Sequence, residues 1–189
     1  MTKKIYLAGP EVFLSNAREM LDRKAALARE AGFIPLSPGD LAIPPAATKL
    51  EHGCNINAID EQMMLEADGV IANLTPFRGI AADTGTTYEL GFMCALGKHV
   101  FAYTNVADNH FTRIMNHYHG IAAPDDEGRY RGPDGLSVEN FDMADNLMLH
   151  GGVLRRGGSF IVGDAKPDEI YTDLSAFKEC LKVAAEKLL

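Results

Sequence analysis

Tryptophan is absent from this 189-residue chain, and cysteine occurs only three times. Cys54, Cys94 and Cys180 are odd in number and share no C-x-x-C spacing, which excludes a disulfide framework and leaves no zinc motif. They read as reduced thiols, mostly in the core. Basic residues are also in deficit, 18 against 26 acidic, and the net charge of -8 opposes binding to DNA or RNA. No apolar run reaches the length that spans a bilayer, and Met1 to Lys4 enter an apolar segment without the pattern of a signal peptide. The expectation is a cytoplasmic protein with neither a membrane nor a nucleic acid polymer as partner. The chain lacks G-x-x-x-x-G-K-[ST] and has no G-x-G-x-x-G after its first strand, so the usual cradles for triphosphates and dinucleotides are missing. Ser15, Ser37 and Ser137 have no nucleophile-elbow context. His117 and His119 stand without further ligands at metal spacing and read as surface or interface residues. No metal and no cofactor are expected.

What is present is an ordinary globular composition, 47% hydrophobic and 23% charged, in a chain long enough for one substantial core. Lys3 to Gly9 reads as a buried strand ending at a Gly-Pro step, and Leu14 to Gly32 as a helix with glycine at its end. Phe33 to Pro38 is a short second strand, and LSPGDLAIPPAA a loop too broken by Pro and Gly for regular structure. A helix over about Asn55 to Ala67 precedes the apolar run Gly69 to Leu74, the pattern of an inner parallel strand. The loop TPFRGIAAD then enters a helix closed by Gly97, and the strand Lys98 to Thr104 follows. This rhythm predicts an α/β fold, a single domain over 1–189. Its parallel sheet is flavodoxin-like or Rossmann-like, with helices on both faces and ligands beyond the carboxyl ends of the strands. Over about 105–141 the pattern dissolves into an irregular insertion, read as a lid or a subunit contact. A helix-like stretch near Asp142 to Leu149, an edge strand at Ser159 to Val162 and an amphipathic helix over Asp168 to Leu189 complete the chain.

Three acids stand where such a fold would hold a ligand. Counting about 100° per residue from Thr86, Glu89 falls at about 300°, between Leu96 and Met93 on an apolar arc. A buried carboxylate must be hydrogen-bonded, paired or protonated, and such groups are enriched at catalytic sites. The structural alternative is a capping box, since Thr86 and Glu89 have its spacing. With Ile56 at zero, Asp60 comes to about 40°, inside the arc of Ile59, Met63, Met64 and Ala67, and its alternative is a local backbone bond. Asp83 lies at the mouth of a strand-to-helix loop, where aspartate is also a favoured N-cap. Acids brought by different elements to one end of a parallel sheet suit glycosyl chemistry: one carboxylate attacks or stabilises an oxocarbenium-like carbon while another handles a proton. Glu11, in GPEVF after the first strand, sets a like charge where a phosphate would lie, which favours a nucleoside without phosphate. Phe13 offers a ring to stack on a base, or a hydrophobic staple at a helix start.

Several runs together resemble the nucleoside 2-deoxyribosyltransferases: YLAGP with Phe13, Asp60 followed by Asp68 before an apolar strand, DTGTTYELG with GK after its helix, and NLM at Asn146 to Met148. The likeness covers roughly residues 4–104 and 142–150. It implies a nucleoside salvage enzyme that transfers a 2-deoxyribosyl group between nucleobases through a covalent glutamyl-deoxyribosyl intermediate, with retention overall. By this resemblance Glu89 matches the nucleophile, Asp60 the acid that manages the proton of the base, and Tyr6 the residue that orients the nucleophile. Asp83 matches a residue that binds the sugar hydroxyl, and Gly9 and Phe13 join it in the substrate pocket. Asn146 and Met148 match residues contributed by a neighbouring subunit, which implies a homo-oligomer with shared sites. The partners are then 2'-deoxynucleosides and free nucleobases. Two alternatives use the same residues: a hydrolase that cleaves the N-glycosidic bond of deoxynucleoside 5'-monophosphates, and a nucleoside-binding module without chemistry. The chain departs from the family pattern in two places. GPEVF lacks the adjacent aromatics of some members, and the short forms end in a carboxylate that enters the site, whereas this chain continues through a further helix to Leu189.

Overall fold

A computed structural model describes residues 2–189, and Met1 lies outside them. Strands β1 (Lys4–Ala8), β2 (Ile34–Leu36), β3 (Gly69–Asn73), β4 (His99–Thr104) and β7 (Phe160–Val162) form one sheet in the order β2-β1-β3-β4-β7, with every pairing parallel. Parallel neighbours need long crossovers, and the helices that supply them cover both faces. Helices α1 (Ala17–Glu30) and α6 (Ser175–Leu188) pack on one face, and α2 (Lys49–Glu66), α3 (Thr84–Ala95) and α5 (Leu147–Leu154) on the other. The α/β architecture expected from the sequence is the one observed.

The period of two along a strand decides which side chain enters which layer. Ile5 and Leu7 pack with Met20 and Phe177, whereas Tyr6 and Ala8 turn toward Met63, Leu90 and Met93. Tyr6 is thereby committed to the side of the sheet that carries α2 and α3, where it is fully buried. From β1 the chain steps outward to β2 and then returns to place β3 on the opposite side of β1. That reversal opens a crevice at the carboxyl end of β1, the usual ligand position in sheets of this kind.

Element ends differ from expectation where a local hydrogen bond outranks propensity. Helix α1 starts at Ala17 rather than Leu14, because Pro10–Phe13 forms a separate 3-10 turn. Helix α2 starts at Lys49, well before Asn55. There Thr48 accepts from the Glu51 amide at 3.1 Å, and the Glu51 carboxylate accepts from the Ala47 amide at 2.7 Å. The stretch 105–141 is more ordered than its composition suggests. It contains α4 (His110–His117), capped by Asn109, and a hairpin of β5 (Ala123–Pro124) and β6 (Tyr130–Arg131). Helix α5 begins at Leu147 rather than Asp142, since Asn146 caps it by accepting from the Met148 amide at 3.0 Å. Helix α6 begins at Ser175 rather than Asp168, after Asp173 has accepted from the Ser175 amide at 2.6 Å. Among the described residues no helix is long and apolar enough to cross a membrane.

Candidate active site

Beyond the carboxyl end of β1 lies a cavity of about 600 Å³, lined by Gly9 and Phe13 from the loop after β1, Asp60 from α2, and Asp83 and Glu89 from α3. Helix α3 delivers two acids because one of them begins it. Asp83 Oδ2 accepts from the Thr86 amide at 2.9 Å and from the Thr86 hydroxyl at 3.1 Å. Its Oδ1 takes no hydrogen bond among the described residues and remains available to the cavity. Asp83 is thus both the N-cap and a wall residue. Glu89 lies about a turn and a half further along the helix, out of reach of the cap. Its carboxylate accepts instead from the Tyr6 hydroxyl at 2.6 Å. Glu89 therefore takes no part in a capping box.

The electrostatics follow from burial. Burial lifts the Glu89 carboxyl to about 7; the Tyr6 hydrogen bond opposes this, the charges of Asp60 and Asp83 add to it, and the Lys24 ammonium counteracts it. Burial alone raises Asp60 to about 6, with no hydrogen bond contributing. Asp60 is consequently not held by a local backbone bond. The Tyr6 hydroxyl is driven far above the usual phenol range, first by burial and then by the charges of Glu89 and Asp60. It stays protonated and acts as a donor.

Glu11 is where the structure corrects the sequence. Its side chain turns inward rather than to the cavity, and its Oε1 accepts from Lys24 Nζ at 2.6 Å, Asn73 Nδ2 at 3.0 Å and the Tyr103 hydroxyl at 3.1 Å. Glu11 is 1% exposed and Lys24 0%, so the carboxylate is neutralised within the core and a phosphate would meet no bare negative charge there. Gly9 makes the room, because a Cβ at that position would stand 2.0 Å from Glu11 Oε2. Sequence reasoning missed Lys24, although a signal existed: counted from Met20 it falls at about 40°, among Leu21, Ala25 and Ala28 on the buried arc of α1. Phe13 is 54% exposed and stacks on Phe77 with ring centroids 5.1 Å apart, while the Arg78 guanidinium sits 5.1 Å from the Phe13 ring. It is a presented ring rather than a staple. Arg18, Ile43 and Ile56 also line the cavity, and their residue types alone did not mark them.

Asn146 and Met148 do not reach this cavity within their own chain. Met148 is 73% exposed and lines a second hollow of about 940 Å³ with Leu90, Gly91 and Cys94, on the face of α3 opposite Glu89. The last residue, Leu189, lies against Gly32 and is likewise absent from the cavity wall.

Carboxylates from two helices around one cavity, one of them bonded to a buried phenol, are the arrangement of an α/β enzyme for glycosyl transfer. Comparison with known proteins narrows the class. Residues 5–148 match the family model described as nucleoside 2-deoxyribosyltransferase, and the chain belongs to that family. A solved structure, a 2-desoxiribosyltransferase from Leishmania mexicana, is 32% identical, with 94% of this chain and 97% of that chain covered at a TM-score of 0.63. A conserved protein from Enterococcus faecalis V583 shares the fold at 21% identity and a TM-score of 0.57, covering 96% of this chain and 98% of its own. An uncharacterized protein of Schizosaccharomyces pombe (strain 972 / ATCC 24843) is 30% identical over 196 residues, which span 97% of this chain and 89% of that protein.

Proposed function

We propose that this protein exchanges the base of a 2'-deoxynucleoside for a free base, in nucleoside salvage, with Glu89 as the nucleophile. One observation carries the reading: Glu89 is a carboxylate on the cavity wall, released from capping and oriented by the Tyr6 hydroxyl at 2.6 Å. Ionised Glu89 attacks C1', and the bond from C1' to the base breaks with its electron pair passing to the base. Asp60, protonated, gives that base its proton. A second base then attacks the deoxyribosyl ester, Asp60 takes up the proton it sheds, and the glutamate leaves with its electrons. Two inversions give retention. Asp83, through its unused oxygen, holds the sugar hydroxyl, Phe13 stacks on the base and Gly9 keeps the approach open. A binding module would gain nothing from burying two acids against their preference for water.

The same reading gives the protein a second subunit. Leu147 and Met148, 36% and 73% exposed, open α5 and line the second hollow together, and exposed apolar residues around such a hollow mark a contact surface. Asn146 and Met148 then complete the sugar pocket of a neighbour.

Mixing thymidine with free adenine and following the products by chromatography tests the proposal. Deoxyadenosine and thymine are expected. Free deoxyribose without a new nucleoside would make the protein a hydrolase, whose preference for a 5'-monophosphate is then read with thymidine monophosphate. No product from either donor would leave a binding module.

Tyr6→Phe tests the orientation of Glu89. The bond from Tyr6 favours the ionised carboxylate, so its loss moves the acid limb of the pH–rate profile to higher pH. A hydrogen bond to a charged group is worth about 1.5–3 kcal/mol, so the rate at pH 6 is expected to fall by roughly 10-fold to 100-fold. An unmoved acid limb would remove Tyr6 from this role.

A further inference from the structure

The segment after β4 holds a buried ion pair that the proposed chemistry leaves unused. Arg113, on α4, is 7% exposed, and its guanidinium is engaged on every side. Nε donates to the Ile80 carbonyl at 2.7 Å, Nη1 to the carbonyls of Asp108 at 2.6 Å and Ala144 at 2.8 Å, and Nη2 to Asp145 Oδ2 at 3.0 Å. Asp145 is wholly buried, and its Oδ1 accepts from the Asn146 amide at 2.7 Å. Glu139 reinforces the outer side, accepting from Asn146 Nδ2 at 2.7 Å and from the Leu147 amide at 3.0 Å.

Two segments therefore meet on one pair of charges. Ile80 to Ala82 runs directly into Asp83, the cap of α3 and an acid of the cavity wall. Ala144 and Asp145 run directly into Asn146 and the start of α5. Burying a charged pair returns no more stability than a well-packed apolar pair of the same size. What the guanidinium adds is geometry, since its planar fork fixes several acceptors at set angles to one another.

We infer that Arg113 and Asp145 are positioning residues that lock Asp83 and the Asn146 to Met148 segment into one unit. The sugar pocket of a subunit and the segment it offers to its neighbour are thus set together. The kinetic half of this inference rests on the proposed exchange reaction, through the role of Asp83; the mechanical half does not. Phe13 lies outside the locked unit, so recognition of the donor sugar depends on the pair and stacking of an acceptor base does not.

Asp145→Asn keeps the volume of the side chain and removes its charge. In hydrogen–deuterium exchange on the full chain, peptides covering 80–86 and 144–150 are expected to exchange faster together, by about tenfold or more, with peptides from β1 and β3 unchanged. In steady-state kinetics the KM for the deoxynucleoside is expected to rise about tenfold while the KM for the acceptor base changes by less than about twofold. Faster exchange confined to 144–150 would overturn the inference. So would a lower melting temperature with both KM values and both peptides unmoved, which is what a merely structural pair would produce. Should Asp145→Asn fail to fold, Arg113→Lys, which keeps the charge and loses the fork, is read by the same two measurements. If the native protein exchanges no bases, the proposed function fails, and hydrogen exchange still decides whether the two segments are locked.

Discussion

Glu89→Ala is expected to lower base exchange by on the order of 10⁴-fold or more with the chain still folded, because covalent catalysis has no replacement for the attacking group. Deoxyadenosine formation from thymidine and adenine measures the loss, and a variant that still exchanged bases would remove Glu89 as the nucleophile. A second measurement separates a carboxylate held ready for reaction from one that supports the fold. Folding raises the Glu89 carboxyl from its ordinary 4.5 to about 7. For a group raised on folding, the stability tied to its proton is fully present below the unfolded value and is lost as pH rises through the folded value. Above pH 7 the native protein therefore carries ionised Glu89 at a cost. Glu89→Gln, neutral at every pH, is expected to melt at a higher temperature than the native chain at pH 8 and at a similar temperature at pH 4. An equal or lower melting temperature at pH 8 would mean that the carboxylate stabilises its surroundings.

Asp60→Asn is expected to lower exchange by roughly 10²-fold to 10⁴-fold for ordinary bases, the usual contribution of a positioned acid. The loss should be much smaller for a donor whose base leaves as a stable anion, since such a base needs no proton. The pH dependence carries the sign. With Asp60 raised to about 6 and Glu89 to about 7, both acids are protonated in acid and both ionised in alkali. Between these limits the pair shares one proton, and donor cleavage requires Glu89 ionised while Asp60 is protonated. The native profile is thus a bell with its maximum at about pH 6.5, and its two limbs belong to the coupled pair. Asp60→Asn should abolish the alkaline limb. The acid limb should stay in place or rise, because Asp60 is already uncharged on that side and the first proton lost can no longer come from it. A variant that kept the full bell would transfer the proton role to another group.

The inward-facing acids were visible early because the relevant pattern is local. The angular position of Glu89 or Asp60 on a helix depends only on the residues within two or three turns. Glu89 nevertheless had two readings of equal standing, cap or site, since spacing treats them alike. The hydroxyl that separates them belongs to Tyr6, 83 residues away in the chain. Glu11 failed for the same reason. Its direction depends on Asn73 and Tyr103, at separations of 62 and 92 residues, and nothing in GPEVF reports whether such partners wait on its inner side. Arg113 lies in a stretch that composition marked as irregular, and its acceptors at Ile80 and Ala144 flank it from 33 and 31 residues off.

By itself the amino-acid sequence determined the class of fold and the helix faces on which charge is buried, because both follow from periods of 2 and 3.6 among near neighbours. Only the tertiary structure decided what each buried charge meets: Tyr6 for Glu89, Lys24 for Glu11, Asp145 for Arg113. Burial of apolar surface draws whole layers together without regard to which ions ride on them, and a buried ion then takes the partner that packing brings within about 3 Å. Distance along the chain holds no information about that meeting.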